Sequence, residues 1–488
     1  MKKNSLAPSD IIIFGGCGDL SRKKIVPSLY YRHKDKQLPR KGRIILIGRS
    51  NLSNKECLAD IKRVAKEVIS KEYFDNSVWK SFEKRLSYNK LDVSNLSDFI
   101  SLKELVEKDA CRGRVFYLAT PSDIFGEICL NLKESGMITR GSKVVLEKPL
   151  GFDLSSFKKI NSQVQECFPE RQIYRIDHYL GKETVQNLMI IRFANNLFER
   201  VWNSDSIEQV QITVSEDIGI EGREKYYEKS GAIKDMVQNH LLQLLCLVAM
   251  EPPNKIDPDI IREEKLKVLK SLQPINGSSV KSCTVRGQYD EGKIDGKVAK
   301  SYSSEVGKKS DVETFIALKA FVDNWRWSGV PFYLRTGKRM AKRYSEVVLQ
   351  FKHVPHELFP DQKKDPESNK LIIRLQPDES IKLAMVTKLP GPGGYRLNPV
   401  ELNLSLADTY KERVADAYER LLMDVIRGNP TLFMSADEVE AAWKWIDDII
   451  KSWKKYNQKV LLYKAGSNGP KKAESLIKKD GHKWYHDE

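Results

Sequence analysis

The residues that follow the apolar run 172–176 carry a dense set of polar side chains, namely Asp177, His178, Tyr179 and Lys182. The run is typical of a buried parallel strand, and ligands of parallel sheets bind where the strands end. The last three side chains supply hydrogen-bond donors and positive charge, which suit a phosphate dianion. A helix predicted to begin near Lys182 adds the positive end of its dipole. The pattern favours an anion site over a polar loop that only caps a helix.

His240 is a candidate general base. Helical spacing predicts an apolar face formed by Ile233, Val237, Leu241, Leu244 and Val248, with His240 at its edge. Such a histidine is more often a hydrogen-bonded core residue, but an imidazole with a pKa of about 6.5 also suits proton abstraction near neutral pH. It would need a carboxylate to fix its tautomer. Asp177 could serve only if the two halves of the chain fold together.

Further polar residues complete the candidate set. Lys148 follows a strand directly, and Pro149 favours an extended backbone that would hold Lys148 at the sheet edge. The others are Glu216, Asp235, Lys338 and Arg343. Carboxylates accept hydrogen bonds from sugar hydroxyls, and the cations suit a phosphate, although each of these residues alone is most often found on a surface.

A glycine-rich loop, residues 15–20, follows the first apolar run and precedes a predicted helix. Glycines let a backbone turn tightly and approach a pyrophosphate, which favours a dinucleotide site over an ordinary strand-to-helix turn. The second strand ends in Gly48-Arg49-Ser50, where an NAD site usually has an acidic residue. Arg49 can instead bind a 2′-phosphate, so the pattern favours NADP without excluding NAD.

The elements that must position these residues fall into two groups. Apolar runs alternate with predicted helices up to residue 180, which predicts a Rossmann-like, doubly wound α/β domain with a parallel sheet. Alternating strands such as 207–216, together with long helices, predict a larger α+β domain with a mostly antiparallel sheet. The predicted domains are residues 1–180, which would bind the dinucleotide, and residues 181–488.

The composition of the chain indicates its cellular compartment and the kinds of partner that it can bind. The 488 residues include seven scattered cysteines without a C-x-x-C pair, which favours a reducing cytoplasm over a disulfide framework or a zinc site. No apolar stretch approaches a membrane span. The net charge of +16 suits phosphate ligands as well as nucleic acid. The aromatic residues lie mostly in apolar patterns, so we expect neither nucleic acid nor a membrane as partner.

Several blocks of the chain, in order over residues 10–484, resemble the glucose-6-phosphate dehydrogenase family. They are Gly-x-x-Gly-Asp-Leu after the first strand, Arg-Ser after the second, Glu-Lys-Pro-Leu-Gly, Arg-Ile-Asp-His-Tyr-Leu-Gly-Lys-Glu, Asp-Met-Val-Gln-Asn-His-Leu-Leu-Gln-Leu, Arg-Thr-Gly-Lys, the block that begins at Asp416, and Ala465-Gly-Ser-Asn-Gly-Pro. The block with Asp-His-Tyr is highly specific, whereas the glycine loop is not. The loop departs from the family's Gly-Ala-Ser/Thr-Gly-Asp-Leu at Gly16 and Cys17, and a thiol there is a poor hydrogen-bond donor that can be oxidised.

The resemblance implies an NADP-dependent oxidation of β-D-glucose 6-phosphate at C1, without a metal, by a homodimer or homotetramer that associates through the large sheet. It implies His240 as the base and Asp177 as its partner. The implied substrate residues are His178, Tyr179, Lys182, Glu216, Asp235, Lys338, Arg343 and Lys148. The implied cofactor residues are Gly15, Gly18, Asp19, Leu20, Arg49, Ser50 and Lys148. Three alternatives stay open: a dehydrogenase of another sugar or sugar phosphate, a basic nucleic-acid-binding protein, and a silent scaffold.

Overall fold

The computed structural model describes residues 6–108, 113–356, 358–359, 368–392, 394–405 and 413–486. Close contacts divide the chain into two compact units. The first comprises Met1–Lys182, Lys255–Arg262 and Val414–Glu440, and the second comprises Glu183–Asn254, Glu263–Arg413 and Ala441–Glu488. The chain first passes from the first unit to the second after Lys182, beside the predicted domain boundary at residue 180. The sequence predicts two continuous domains, whereas two later segments, Lys255–Arg262 and Val414–Glu440, belong to the first unit.

The strands of the described residues are β1 Ser9–Phe14, β2 Ile44–Gly48, β3 Leu86–Lys90, β4 Gly113–Leu118, β5 Ser142–Leu146, β6 Ile173–Ile176, β7 Ile207–Ser215, β8 Thr284–Asp290, β9 Gly292–Ile294, β10 Lys297–Ala299, β11 Phe315–Phe321, β12 Pro331–Gly337, β13 Tyr344–Phe351, β14 Lys370–Gln376, β15 Ser380–Lys388, β16 Leu397–Ser405, β17 Phe433–Met434 and β18 Leu461–Lys464. Two of them, β9 and β10, form a separate antiparallel pair. The other strands belong to two larger sheets, one in each unit.

The α-helices are α1 Val26–Lys34, α2 Asn54–Val68, α3 Asn76–Glu83, α4 Leu96–Glu107, α5 Phe125–Glu134, α6 Leu154–Gln165, α7 Glu183–Phe193, α8 Asn196–Glu199, α9 Glu224–Ala232, α10 Leu242–Ala249, α11 Pro258–Lys270, α12 Val280–Cys283, α13 Tyr302–Val306, α14 Ala417–Arg427, α15 Ala436–Lys455 and α16 Lys471–Lys478. Ser21–Ile25 and Ile233–Leu241 are π-helical, and Ser122–Ile124, Glu170–Gln172 and Gly277–Ser279 are 3₁₀ turns. Within the described part of the chain, no helix combines the length and apolar character that a bilayer crossing requires.

The sheet of the first unit has seven strands in the order β17-β6-β5-β4-β1-β2-β3. Six of them are parallel, and the short β17 pairs antiparallel with β6. Its central strand β1 is buried along its whole length, as expected for a parallel strand covered on both faces. The predicted Rossmann-like sheet is confirmed. Since parallel strands share a direction, the residues that follow β1, β2, β5 and β6 lie at one edge of the sheet.

The sheet of the second unit has nine strands in the order β16-β15-β14-β13-β7-β12-β11-β8-β18. Neighbouring strands are antiparallel except for the parallel pairs β7–β12 and β8–β18. This confirms the prediction of a mostly antiparallel sheet. The carboxyl ends of β7 and β12 and the beginning of β13 meet at the same edge, because β13 runs antiparallel to β7.

Two helices of the first unit begin at signals that the sequence displays. Ser53 and Glu56 form a capping box at the start of α2, and Asp416 and Glu419 form one at the start of α14. The side chain of Glu419 is fully buried, and its Oε2 forms an ion pair with Nη2 of Arg32 in α1 at 2.6 Å. These contacts attach α14, from the last part of the chain, to the first unit.

Candidate active site

The glycine loop of the first unit lies on the ends of its central strands. The amides of Gly15 and Gly16 donate to the carbonyl of Ile47 at 2.9 and 2.8 Å, and the amide of Gly18 donates to Gly15 O at 2.9 Å. A Cβ on Gly15, whose φ is +80°, would lie 2.4 Å from Ala119 O, and a Cβ on Gly16 would lie 2.6 Å from Leu46 Cβ. Only glycine fits between these strands. The resulting tight turn leads into Leu20 and the first π-helix, an arrangement typical of a loop that binds a dinucleotide pyrophosphate.

Charged residues surround this loop. Asp19 pairs with Arg22 at 2.7 Å and with Lys23 at 3.2 Å, and these two cations lower the pKa of its carboxyl. Arg49 and Ser50 are exposed directly after β2. The hydroxyl of Tyr88 donates to Ser50 O at 2.6 Å and so stabilises the backbone that follows β2. The guanidinium of Arg49 is thus available at the sheet edge for a 2′-phosphate.

The polar loop after β6 is folded into a turn. The amide of Tyr179 donates to Asp177 Oδ1 at 2.9 Å, and the amide of Lys182 donates to Tyr179 O at 3.0 Å. The Lys182 ammonium lies 3.6 Å from the centre of the Tyr179 ring, and the His178 ring stacks on Tyr418 of α14 at 6.4 Å. Asp177 and Tyr179 are buried, whereas His178 and Lys182 are partly exposed. The loop therefore presents cationic and hydrogen-bonding groups from a fixed backbone.

Lys148 follows β5 at the same edge, and the residue before it is a buried carboxyl that the sequence analysis did not select. The hydroxyls of Tyr117 and Tyr418 hydrogen-bond to Glu147. Burial raises the pKa of Glu147 despite these hydrogen bonds. Glu147 and Tyr418 could have been found only as members of the blocks Glu-Lys-Pro-Leu-Gly and Asp-Ala-Tyr-Glu, because their long-range contact leaves no local pattern.

The second unit brings together Glu216, Lys338 and Asp235. Glu216 follows β7 and Lys338 follows the parallel neighbour β12, and Lys338 Nζ lies 2.8 Å from Glu216 Oε2. The π-helix Ile233–Leu241 packs against both strands. Its buried Asp235 accepts a hydrogen bond from Tyr226 at 3.0 Å. Arg343 is exposed just before β13, whose beginning lies at the edge where β7 and β12 end.

His240 lies in the same π-helix and is 1% exposed. Its amide donates to Asn239 Oδ1 at 2.6 Å. The five residues of the predicted apolar face are all buried, but the prediction of α-helical spacing through Ile233–Leu241 is wrong. A π-helix has a wider turn, and only Lys234 of this segment is not buried, so no one-sided stripe exists there. Asp177 belongs to the first unit and His240 to the second.

A parallel α/β unit with a glycine loop after its first strand and a cation after its second defines the dinucleotide-binding part of an oxidoreductase. Residues 12–187 match the family model described as glucose-6-phosphate dehydrogenase, NAD binding domain, and residues 189–485 match the model of the C-terminal domain. The chain belongs to the glucose-6-phosphate dehydrogenase family, and it is an oxidoreductase with an NAD(P)-binding domain.

Relatives and solved structures match along the full length. Glucose-6-phosphate 1-dehydrogenase of Rhizobium meliloti (strain 1021) is 49% identical over 98% of this chain and 97% of its own, and that of Mycolicibacterium smegmatis is 47% identical over the same shares. A solved glucose-6-phosphate dehydrogenase in complex with its substrate glucose-6-phosphate has a TM-score of 0.90 and 32% identity over 99% of each chain. The enzyme from Mycobacterium avium has a TM-score of 0.83 and 33% identity over 98% of this chain and 99% of its own.

Proposed function

We propose that this chain oxidises C1 of β-D-glucose 6-phosphate to 6-phospho-D-glucono-1,5-lactone, the first oxidative step of the pentose phosphate pathway, with NADP⁺ as hydride acceptor. The observation that carries the proposal is the loop after β6, where Lys182 and His178 are held beside Tyr179 and Tyr418. This loop suits an anionic substrate, and it occurs in a chain whose two halves match both domain models of the family.

The cofactor fits the edge of the first sheet. Gly15, Gly18, Asp19 and Leu20 form the loop that would hold the pyrophosphate. Arg49, with Ser50 beside it, would bind the 2′-phosphate, and Lys148 would reach the cofactor from the end of β5. NADP⁺, when bound, supplies the nicotinamide ring that accepts the hydride. The close packing of Gly15 against Ala119 and of Gly16 against Leu46, which leaves no room for a Cβ and holds the loop backbone on the strand ends, supports this assignment.

The substrate phosphate would bind to His178, Tyr179 and Lys182. The ammonium of Lys182 already lies over the Tyr179 ring, so little side-chain freedom remains to be lost on binding. Lys148 would contact the substrate as well as the cofactor. Charge complementarity to a dianion supports these roles.

The sugar and its C1 hydroxyl would be held by the second unit. Glu216 and Asp235 would accept hydrogen bonds from sugar hydroxyls, and Lys338 and Arg343 would lie close to the substrate. His240 would remove the C1 hydroxyl proton, since a neutral imidazole suits that step near neutral pH. Asp177 would fix the tautomer of His240 and stabilise the imidazolium, as the carboxylate does in a catalytic triad.

The experiment that tests the reaction follows the absorbance band of reduced nicotinamide. The purified full-length protein is mixed with glucose 6-phosphate and either NADP⁺ or NAD⁺, in buffer containing EDTA. We expect reduction of NADP⁺, faster than that of NAD⁺, and no loss of rate with EDTA. Parallel reactions with mannose 6-phosphate and with free glucose test the alternative of another substrate. No reduction of either cofactor with glucose 6-phosphate would contradict the proposal.

We also propose that the chain forms a homodimer or homotetramer through the sheet of the second unit. On one face of the outer hairpin, apolar residues of β15 and β16 pair with one another, namely Ile381 with Leu404, Leu383 with Leu402 and Met385 with Val400. Leu402 is 61% and Leu404 49% exposed. Contiguous exposed apolar residues on a sheet are typical of a protein–protein interface, and a second copy of the same face provides the complementary surface.

We propose a cytoplasmic location. None of the six described cysteines forms a disulfide, which suits a reducing compartment, and Cys111 lies outside the described residues. Nucleic acid and membranes remain unexpected as partners. Binding of the protein to DNA or RNA that weakens steeply with salt would contradict this expectation.

A further inference from the structure

Two cysteine sulfurs meet beneath the glycine loop. Cys17 is the central residue of that loop, and Cys57 lies in the first turns of α2. The two Sγ atoms are 2.9 Å apart, and both cysteines are free thiols. Cys57 is 1% exposed within the core, whereas Cys17 is partly exposed. An oxidant from solvent therefore reaches Cys17 first, and the thiol of Cys57 lies in hydrogen-bond contact with it.

The surroundings give the two thiols different reactivity. The hydrogen bond from Cys57, followed by the nearby guanidinium of Arg22, lowers the pKa of Cys17, although burial and the Asp60 carboxylate oppose this. The same hydrogen bond and burial raise the pKa of Cys57. The phenol of Tyr88 also lies near both sulfurs. The thiolate is the reactive form of cysteine, so Cys17 is the residue that attacks an oxidant.

The loop and the helix are already fastened at this place. Arg22, five residues after Cys17, donates to Asp60 of α2 at 2.8 Å, and Asp60 lies one turn after Cys57. The amides of Gly15 and Gly16 both donate to Ile47 O, at 2.9 and 2.8 Å, and these hydrogen bonds hold the loop against β2. The two sulfurs are therefore held together in the folded protein, and a bond of about 2 Å requires only a small further approach.

We propose that Cys17 and Cys57 form a reversible disulfide on oxidation by a hydroperoxide, and that this bond weakens binding of the nicotinamide dinucleotide. The second half of the proposal rests on the proposed cofactor site. The Cys17 thiolate attacks the terminal oxygen of the peroxide, the O–O bond breaks, and Cys17 becomes a sulfenic acid, while the other oxygen takes up a proton and leaves as water from hydrogen peroxide or as an alcohol from an organic hydroperoxide. Cys57 loses its proton and attacks Cys17 Sγ, the S–S bond forms, the S–O bond breaks, and the sulfenic oxygen leaves as water.

The disulfide changes the cofactor loop because Cys17 lies between Gly16 and Gly18. Shortening the distance between the two sulfurs from 2.9 Å to about 2 Å turns the peptide unit that carries the Cys17 amide, which would face the pyrophosphate. Loss of one charge-assisted hydrogen bond to a phosphate weakens binding by about tenfold or more. Helix α2, which carries Cys57, begins four residues after Ser50. The disulfide would therefore join the glycine loop, which would hold the pyrophosphate, to the segment that follows Arg49 and Ser50, which would hold the 2′-phosphate.

The test maps the thiols and measures cofactor binding, and neither readout needs turnover. The reduced full-length protein is treated with hydrogen peroxide, free thiols are alkylated, and digests are analysed by mass spectrometry. We expect a linked pair of peptides containing Cys17 and Cys57, lighter by two hydrogen atoms and separated by dithiothreitol. The Kd for NADPH, measured by nicotinamide fluorescence, should rise about tenfold and recover on reduction. Saturating NADPH present beforehand should slow formation of the link.

Cys57→Ala should give no linked peptides and no reversible change in the Kd, whereas Cys283→Ser, which alters another partly exposed cysteine, should respond as the native protein does. Oxidation of Cys17 without the link to Cys57 would overturn the proposed bond. A link that leaves the Kd for NADPH unchanged would overturn its effect on the cofactor. If the reduced protein binds NADPH but oxidises no sugar phosphate, the proposed reaction fails while both readouts of the disulfide still decide this proposal.

Discussion

Tyr117 and Tyr418 both contact the buried carboxyl of Glu147, the residue before Lys148. Hydrogen bonds from the two hydroxyls favour the carboxylate, but burial outweighs them and raises the pKa of Glu147. Burial also raises the pKa of both tyrosines, so their hydroxyls keep their protons. Tyr418 stacks on His178 as well, and the network therefore connects the end of β5 with the loop after β6.

The raised pKa of Glu147 predicts a pH effect on stability. The folded protein holds this proton to higher pH than the unfolded chain, whose carboxyl has its ordinary value of 4.5. The associated stability is fully present below about pH 4.5 and is lost as the pH rises through the folded pKa. Glu147→Gln cannot ionise, so the melting temperature of the native protein should fall relative to this variant as the pH rises from 4.5. Parallel melting curves over this range would contradict the prediction.

His240→Asn tests the proposed general base. Asparagine keeps a polar side chain of similar size but cannot take up the proton, so kcat should fall about 10²–10⁴-fold while KM for glucose 6-phosphate changes little. His353→Asn alters an exposed histidine of the second unit and should leave both constants unchanged. Steady-state kinetics measures both. A His240→Asn protein that loses substrate affinity but keeps kcat would refute the assignment.

Lys182→Ala tests the phosphate role of the loop after β6. Removing a charge-assisted contact costs about 1.5–3 kcal/mol, so KM for glucose 6-phosphate should rise about tenfold or more, with a smaller effect on kcat. Lys80→Ala, at an exposed position of α3, should have the kinetics of the native protein. Addition of inorganic phosphate should inhibit the native protein more strongly than the variant. An unchanged KM would exclude Lys182 from the phosphate site.

At the scale of the element, Gly231 interrupts the helical backbone near the end of α9, just before the π-helix that carries Asp235 and His240. Its φ of 59° and ψ of 179° are open to glycine but not to other residues, and an added Cβ would lie 2.4 Å from Glu313 Oε1. Glu313 also accepts from the amide of Ile233 and pairs with Arg286. This glycine therefore fixes the direction in which the π-helix begins.

Gly231→Ala should destabilise the protein by about 1–3 kcal/mol and lower kcat, since both backbone strain and a clash arise just before the π-helix that carries the proposed base His240. Gly307→Ala is the matched control, because Gly307 also has a positive φ but an added Cβ would meet no atom within 4 Å. The free energy of unfolding of each variant, measured in urea, separates the effect of backbone strain, which both variants share, from that of the clash with Glu313, which only Gly231→Ala has. Equal destabilisation by the two substitutions would show that the contact with Glu313 does not matter.

Local patterns predicted most elements, and the failures have physical causes. β1 and β2 were predicted because they are continuous apolar runs, whereas β3 was missed because only Leu86 and Tyr88 of its five residues are buried. The π-helix could not be predicted, since a segment that is buried everywhere except at Lys234 has no one-sided polar face to reveal its period. Glu147 and Cys57 were missed for another reason: their roles depend on partners that are distant in sequence.

At the scale of the whole molecule, the apolar face of β15 and β16 predicts self-association. Leu402→Lys combined with Leu404→Lys should shift the sedimenting species from oligomer to monomer, because two charges would be buried without partners in the interface. Asn403→Glu, on the other face of β16 and opposite Lys382, should leave the oligomer intact. Analytical ultracentrifugation at several concentrations measures the distribution. An unchanged oligomer in the double variant would place the interface elsewhere.

The return of the segment Val414–Glu440 to the first unit determines when that unit can be completed on the ribosome. Lys143 of β5 donates to the carbonyls of Val425 and Ile426 at 2.6 and 2.9 Å, and β17 pairs with the outer edge of β6. A nascent chain that ends at residue 182 lacks all of these partners. The parallel sheet thus keeps an unpaired strand edge throughout most of translation, and it closes only after residue 434 has left the exit tunnel.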